Sequence, residues 1–197
     1  MGPTDEELVE AFQRGDTAAF DVLVQRWDRK IRGAVFRLVG SQDEARDLAQ
    51  EAFLKAYRAM GTFKLEARFS SWLYQIALNG ARDRLRRRRT RMDVSLETLE
   101  ETADRPLGRP ERTALDLVES RDLSRAVASA VAALPEDQRE VVVLKEYQGL
   151  TFAEIAEALD VPLSTVKTRL YRGLGQLRLR LERQGIRGSA PVPAPLP

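Results

Sequence analysis

The chain has 197 residues, 43% of them hydrophobic and 31% charged, with a formal net charge of +2 and neither cysteine nor histidine. That length holds one large domain or two small ones, each with a modest core. The composition excludes thiolate and imidazole metal sites, disulfides, and the Ser-His and Cys-His nucleophile pairs.

The charge is arranged in blocks. From Arg82 to Arg91 there are seven arginines against one aspartate; from Asp93 to Asp122 there are nine acids against four arginines; from Lys167 to Arg183 the balance is basic again. Two basic modules flanking an acidic connector is the pattern of two surfaces that each meet phosphate. The N-terminus is acidic, and the longest small-apolar run, Val127 to Leu134, is interrupted by Ser129 and stopped by Pro135. A soluble, cytoplasmic chain without signal peptide or membrane span is expected.

Residues 4 to 40 carry Leu8, Phe12, Phe20, Leu23, Trp27, Ile31, Val35 and Leu38 at three- and four-residue spacings, which predicts two helices separated at Gly15-Asp16. Gly40-Ser41 closes the second and opens a third. In that third helix Ala45, Leu48, Ala49, Ala52, Phe53, Ala56 and Tyr57 form a core stripe, while Asp43, Asp47, Gln50, Glu51 and Leu54 line a separate acidic ridge. The ridge reads either as a solvated face with one stray leucine or as a docking surface for a basic protein partner.

Around Gly61 the period breaks, predicting a loop with Phe63 and Phe69 as aromatics and Lys64 and Arg68 as cations. A helix resumes over 70–87, with Leu73, Ile76, Ala77 and Gly80 inward and Gln75, Asn79, Arg82 and Arg86 on one face. Amides leading into arginines beside an aromatic loop suit base stacking, edge recognition and backbone contact. Trp72 and Tyr74 read either as core or as part of that surface. Residues 92–118 carry acids, Pro106, Gly108 and Pro110 without a period, and read as a linker long enough for independent domain movement. Beyond it Leu123, Val127, Ala130, Val131 and Leu134 form a stripe, and Pro135 starts a helix that runs to Tyr147.

From Thr151 to Arg172 the pattern is that of a helix-turn-helix. Ile155, Ala156 and Leu159 share one face of a short helix, Asp160-Val161-Pro162 supplies a left-handed turn and a stop, and Ser164 is positioned as the next cap. Val166, Leu170 and Leu174 face inward in the second helix, which leaves Thr165, Lys167, Thr168, Arg169, Tyr171 and Arg172 available to a DNA major groove. Taken alone, the match also fits, less well, a helical hairpin with a solvated basic face. Residues 185–197, with proline at every second position from Pro191, read as a disordered or polyproline-like tail.

Three stretches, Gln50 to Tyr57, Phe69 to Asn79 and Leu134 to Arg139, together with the helix-turn-helix, resemble an extracytoplasmic-function (ECF) sigma factor over about residues 5 to 183. The resemblance implies an all-α chain of two small helical domains, region two over 5–91 and region four over 119–184, joined by the acidic linker 92–118. It implies a non-enzymatic transcription initiation factor without cofactor or metal. Region two would bind core RNA polymerase, at the clamp helices of the largest subunit, through Asp47, Gln50, Glu51 and Leu54. It would open and read the minus-ten element with Phe63, Lys64, Trp72, Tyr74, Gln75, Asn79, Arg82 and Arg86. Region four would lie near the flap of the second-largest subunit and read the minus-thirty-five element with Ser164, Thr165, Lys167, Thr168, Tyr171 and Arg172. Promoter DNA and an anti-sigma factor are the other expected partners. Two further readings remain: a stand-alone helix-turn-helix regulator, and a magnesium-dependent nuclease built on Asp43, Asp47 and Glu51.

Overall fold

A computed structural model describes residues 2–95 and 116–186, with side chains over 2–91 and 122–186. The described residues contain helices and turns and no strand. The expected tail beyond Ile186 and most of the expected linker lie outside them. The helices on either side reach further than the periodicity predicts, α4 to Ser95 and α5 back to Asp116, so 92–95 and 116–118 are helical.

The first half is a bundle of α1 (Asp5–Gln13), α2 (Ala18–Val39), α3 (Gln42–Ala59), a 3₁₀ turn (Met60–Thr62) and α4 (Phe69–Ser95). Thr4 and Glu7 form a reciprocal capping box on α1, and Ser41 caps α3 through the Glu44 amide, so orphan N–H groups at both starts are satisfied. Gly40, at φ 80°, closes α2 in the left-handed conformation expected of it. The expected stripes are the core: Leu23, Ile31, Val35, Ala56, Leu73 and Ala77 are fully buried. Tyr57 departs from the expected stripe. It is 44% exposed because it sits at the bundle's edge, in edge-to-face contact with Phe12 and Phe20.

The second half comprises α5 (Asp116–Ala132), α6 (Glu136–Val142) continued by a π-helical turn (Val143–Tyr147), α7 (Phe152–Leu159) and α8 (Leu163–Arg183). Thr151 and Glu154 make a second capping box, whose backbone and hydroxyl donors on Thr151 hold the Glu154 carboxyl below the usual range. Asp160 takes the left-handed conformation (φ 54°, ψ 51°) that the turn between α7 and α8 requires. The expected cap at Ser164 is corrected: Pro162 is the N-cap residue, and Ser164 lies within the first turn of α8. Proline's fixed φ starts the helix early, and no side-chain cap bond is made. Leu123 is also corrected, being 47% exposed where a core position was expected.

At Gly173 α8 crosses α6 so closely that an added Cβ would meet Val142 Cγ2 at 3.0 Å and Gln138 Cβ at 3.4 Å, whereas Gly175 faces open space. Gly173→Val is therefore expected to destabilise the chain by about 2 kcal/mol through overpacking. Gly175→Ala is expected to stabilise it by about 0.5–1 kcal/mol through helix propensity. Urea unfolding of the two variants checks both signs.

Candidate nucleic-acid interface

The ridge on α3 is exposed along its length: Asp43, Asp47, Gln50, Glu51 and Leu54 all face solvent, Leu54 at 51%. Among the described residues no salt bridge engages Asp47 or Glu51. The carboxylates are spread along the helix, and among the described residues no group of three acids, Asp43, Asp47 and Glu51 included, is placed to share a metal ion.

Between α3 and α4 the chain makes the 3₁₀ turn and a short loop. Lys64, Leu65, Glu66 and Arg68 are exposed, but Phe63 is only 8% exposed, with its ring 4.7 Å from Trp72 and 6.3 Å from Phe69. Phe63 is thus a prop for the loop, not the exposed stacking ring expected from sequence. For Tyr74, left open between core and surface, the core reading holds. It is fully buried, edge-on to Trp27, with its hydroxyl donating to Gln148 Oε1 at 3.0 Å; burial pushes its phenol far above the ordinary value. The local pattern, a loop for Phe63 and a helix for Tyr74, could not separate these fates, since an aromatic ring packs in a core as well as it stacks on a base. Asn79 and Arg86 are exposed, and Trp72, Gln75 and Arg82 half-buried, so this part of the expected face is assembled on α4.

That face lies against the second half of the chain. Arg82 donates from Nε and Nη2 to the two oxygens of Glu140 at 2.6 and 2.7 Å, and from Nη1 to Asn79 Oδ1 at 3.0 Å. Glu140 is 2% exposed. The fork-on-carboxylate bonds raise the Arg82 guanidinium above its ordinary pKa, against the opposing effect of burial. Arg68 bonds Glu154 at 2.6 Å, and its amide donates to Glu157 at 3.1 Å; Arg89 faces Glu136 at 3.1 Å. Away from α4, Arg139 Nη1 donates to the Leu38 carbonyl at the end of α2, where the helix dipole favours a cation, and Nη2 to the Leu134 carbonyl. Burial lowers the Arg139 pKa. Arg37 stacks over Tyr147, 4.2 Å from the ring centroid. Sequence periodicity missed Glu140, Gln148, Glu154 and Glu157 as members of this surface. Glu140 did leave a trace, as a lone acid leading the apolar run Val141-Val142-Val143.

The outer face of α8 carries the expected groups. Ser164, Thr168 and Arg172 are exposed, and Thr165, Lys167 and Tyr171 are half-buried. Thr168 returns its hydroxyl to the Ser164 carbonyl at 2.9 Å, and Lys167 lies 6.0 Å from the Phe152 ring. Arg169 turns aside to Asp137 at 3.3 Å and is half-buried there. Val166 and Leu170 anchor the opposite face in the core. A helix held in this way over a capped partner helix is the form that enters a major groove.

Comparison with known proteins accounts for both halves. Residues 23–91 match the Sigma-70 region 2 family, and residues 124–177 match the Sigma-70, region 4 family. The RNA polymerase sigma-H factor of Pseudomonas aeruginosa is 40% identical over 175 residues, covering 85% of this chain and 89% of that one. The ECF RNA polymerase sigma-E factor of Haemophilus influenzae is 37% identical over 186 residues, 91% of this chain and 96% of that one. The same fold is found in the sigma factor RpoE of Bartonella quintana, solved in complex with the anti-sigma factor NepR, with a TM-score of 0.67, 23% identity, and coverage of 83% of this chain and 96% of that one. With both regions in order on one chain and relatives matched along nearly their whole length, this protein belongs to the sigma-70 family as an ECF RNA polymerase sigma factor, a transcription initiation factor that directs core polymerase to promoters.

Proposed function

We propose that the α3 ridge docks core polymerase, that the loop and α4 open and read the minus-ten element, and that α8 reads the minus-thirty-five element as duplex. The observation that carries the docking assignment is the ridge itself. Acidic side chains without described ion pairs flank a half-exposed leucine, a combination that fits a basic protein surface with an apolar centre. In the loop Lys64, and on α4 Trp72, Gln75, Asn79, Arg82 and Arg86, are the groups offered to the nontemplate strand, with Phe63 and Tyr74 beneath them as support. On α8, Ser164, Thr165, Lys167, Thr168, Tyr171 and Arg172 are offered to base edges and phosphates. An anti-sigma factor is proposed as a further partner, by analogy with the Bartonella complex.

The arrangement described here is a closed one, and the proposed function requires it to open. Elements named for positions ten and thirty-five are about 25 base pairs apart, roughly 85 Å at about 3.4 Å per pair. A compact chain of this length has a radius of gyration of only about 16 Å. Packed together, the two halves therefore reach one element at a time, and Arg82 is held by Glu140 instead of by phosphate. This supplies a second reason, besides the small number of cations, for the free chain to bind promoters weakly.

Asp47→Arg is expected to lower affinity for core polymerase by at least about tenfold through like-charge repulsion. Co-purification and fluorescence titration check it, and undiminished binding would remove the ridge from the docking surface. Lys167→Ala is expected to reduce promoter-specific run-off transcription by about tenfold, the cost of one base or phosphate contact, with core binding intact. Parallel loss of both activities would contradict the assignment of Lys167 to DNA.

A further inference from the structure

We infer that Gln13, the last residue of α1, positions the loop that reads the minus-ten strand by holding both ends of the turn from which that loop departs. The inference rests on the reading of the loop given above. Gln13 Nε2 donates to the Met60 carbonyl at 3.0 Å and to the Phe63 carbonyl at 2.8 Å. A primary amide has two N–H donors, and here both are spent on the two carbonyls that bracket the 3₁₀ turn Met60–Thr62.

Gln13 is itself exposed, but the surroundings fix both the end of α1 that carries it and the far side of the turn. Phe12, its neighbour, stacks edge-on against Tyr57 at 5.2 Å and lies 5.9 Å from Phe20, which registers the end of α1 on the last turn of α3. Beyond Gln13 the helix is closed: the Gly15 amide donates to the Phe12 carbonyl and the Asp16 amide to the Ala11 carbonyl, with Gly15 at φ 105°. On the far side of the turn the Phe63 ring is clamped by Trp72 and Phe69. The chain therefore leaves the bundle at Lys64 from a root held twice, at the backbone by Gln13 and at the side chain by the aromatic pocket. Between that root and α4 the loop is tied by the Ala67 amide, donating to the Lys64 carbonyl at 3.2 Å, and in the closed arrangement by Arg68, bonded to Glu154 and Glu157. The Arg68 contacts are lost when the halves part, which leaves the root to set the loop's direction. A loop that must meet an unstacked base depends on the direction set at its root, since a small displacement there is carried to its tip.

Gln13 is thus a positioning residue that acts through the turn. Two substitutions of similar length separate this role from space-filling. Gln13→Met keeps the volume and removes both donors; Gln13→Glu keeps the shape and places a carboxylate against two carbonyl oxygens.

The test uses holoenzyme reconstituted with bacterial core polymerase and a promoter selected by the wild-type holoenzyme from a randomised duplex library. 2-Aminopurine replaces each nontemplate minus-ten base in turn, because its fluorescence rises when it leaves the stack. Both variants are expected to abolish the rise at the captured position and to weaken binding of the single-stranded minus-ten segment about tenfold, the equivalent of two lost hydrogen bonds. Affinities for core polymerase and for the minus-thirty-five duplex should stay at wild-type values. A wild-type fluorescence rise in both variants would overturn the inference, and so would an equal loss of core affinity, which marks a merely structural role. Lys64→Ala runs alongside: loss of signal there with none in the Gln13 variants defeats the positioning role alone, and no loss in any of the three defeats the reading of the loop together with it.

Discussion

The contact on which this conformation turns is the bidentate pair between Arg82 and Glu140, with Glu140 almost wholly removed from water. A carboxylate buried to that degree is tolerable only while both its oxygens are bonded, because an isolated charge in such surroundings costs several kcal/mol. The pair therefore ties two decisions together. While the halves are packed, α4 presents Arg82 to α6; in the opening proposed above the pair breaks and Arg82 is released for the phosphate contact proposed for it. Such a pair contributes little net stability compared with apolar packing, but it makes partial separation unfavourable. That is the behaviour of a two-state contact.

The secondary contacts follow the same logic. Arg68 with Glu154 and Glu157, and Arg89 with Glu136, join cations of the first half to carboxylates of the second. These are more exposed than the Arg82 pair and weaker in salt. Tyr74 and Gln148 add a neutral bond beneath them. Opening is then a matter of competition. Twenty residues separate Ser95 from Asp116, an extended reach of roughly 70 Å at about 3.5 Å per residue. With the lengths of the flanking helices, that covers the separation of the two proposed elements. A polymerase that binds the α3 ridge and the second half at distant places favours the open form by its differential affinity, and needs no further trigger.

Much of this was legible in the sequence, for physical reasons that differ between elements. Helix stripes such as Leu23-Ile31-Val35 and the left-handed Asp160 were readable because spacing and turn chemistry are local. The α3 ridge was readable because Leu54 interrupts an otherwise acidic face. Phe63 was misplaced on the surface, and Tyr74 left open between surface and core, because burial of a ring is decided by neighbours outside its own turn: Trp72 and Phe69 for one, Trp27 and Gln148 for the other. Glu140 and Gln13 were passed over for the same reason. Their partners lie 58 and about 50 residues away, and nothing in their own windows distinguishes them from solvated polar residues. Ser164 lost its expected cap to a proline two residues earlier, a competition between two local rules that the sequence does not rank.

The central claim is that a closed chain opens on the polymerase. Because the chain has no cysteine of its own, cysteines introduced at the exposed residues Glu6 and Arg183 can carry a donor and an acceptor dye, and energy transfer between them can be followed as core polymerase is added. The account predicts one high-transfer population in the free chain that is replaced by a low-transfer population on binding. Transfer that stays the same on the polymerase, or a free chain already in the low-transfer state, would contradict it.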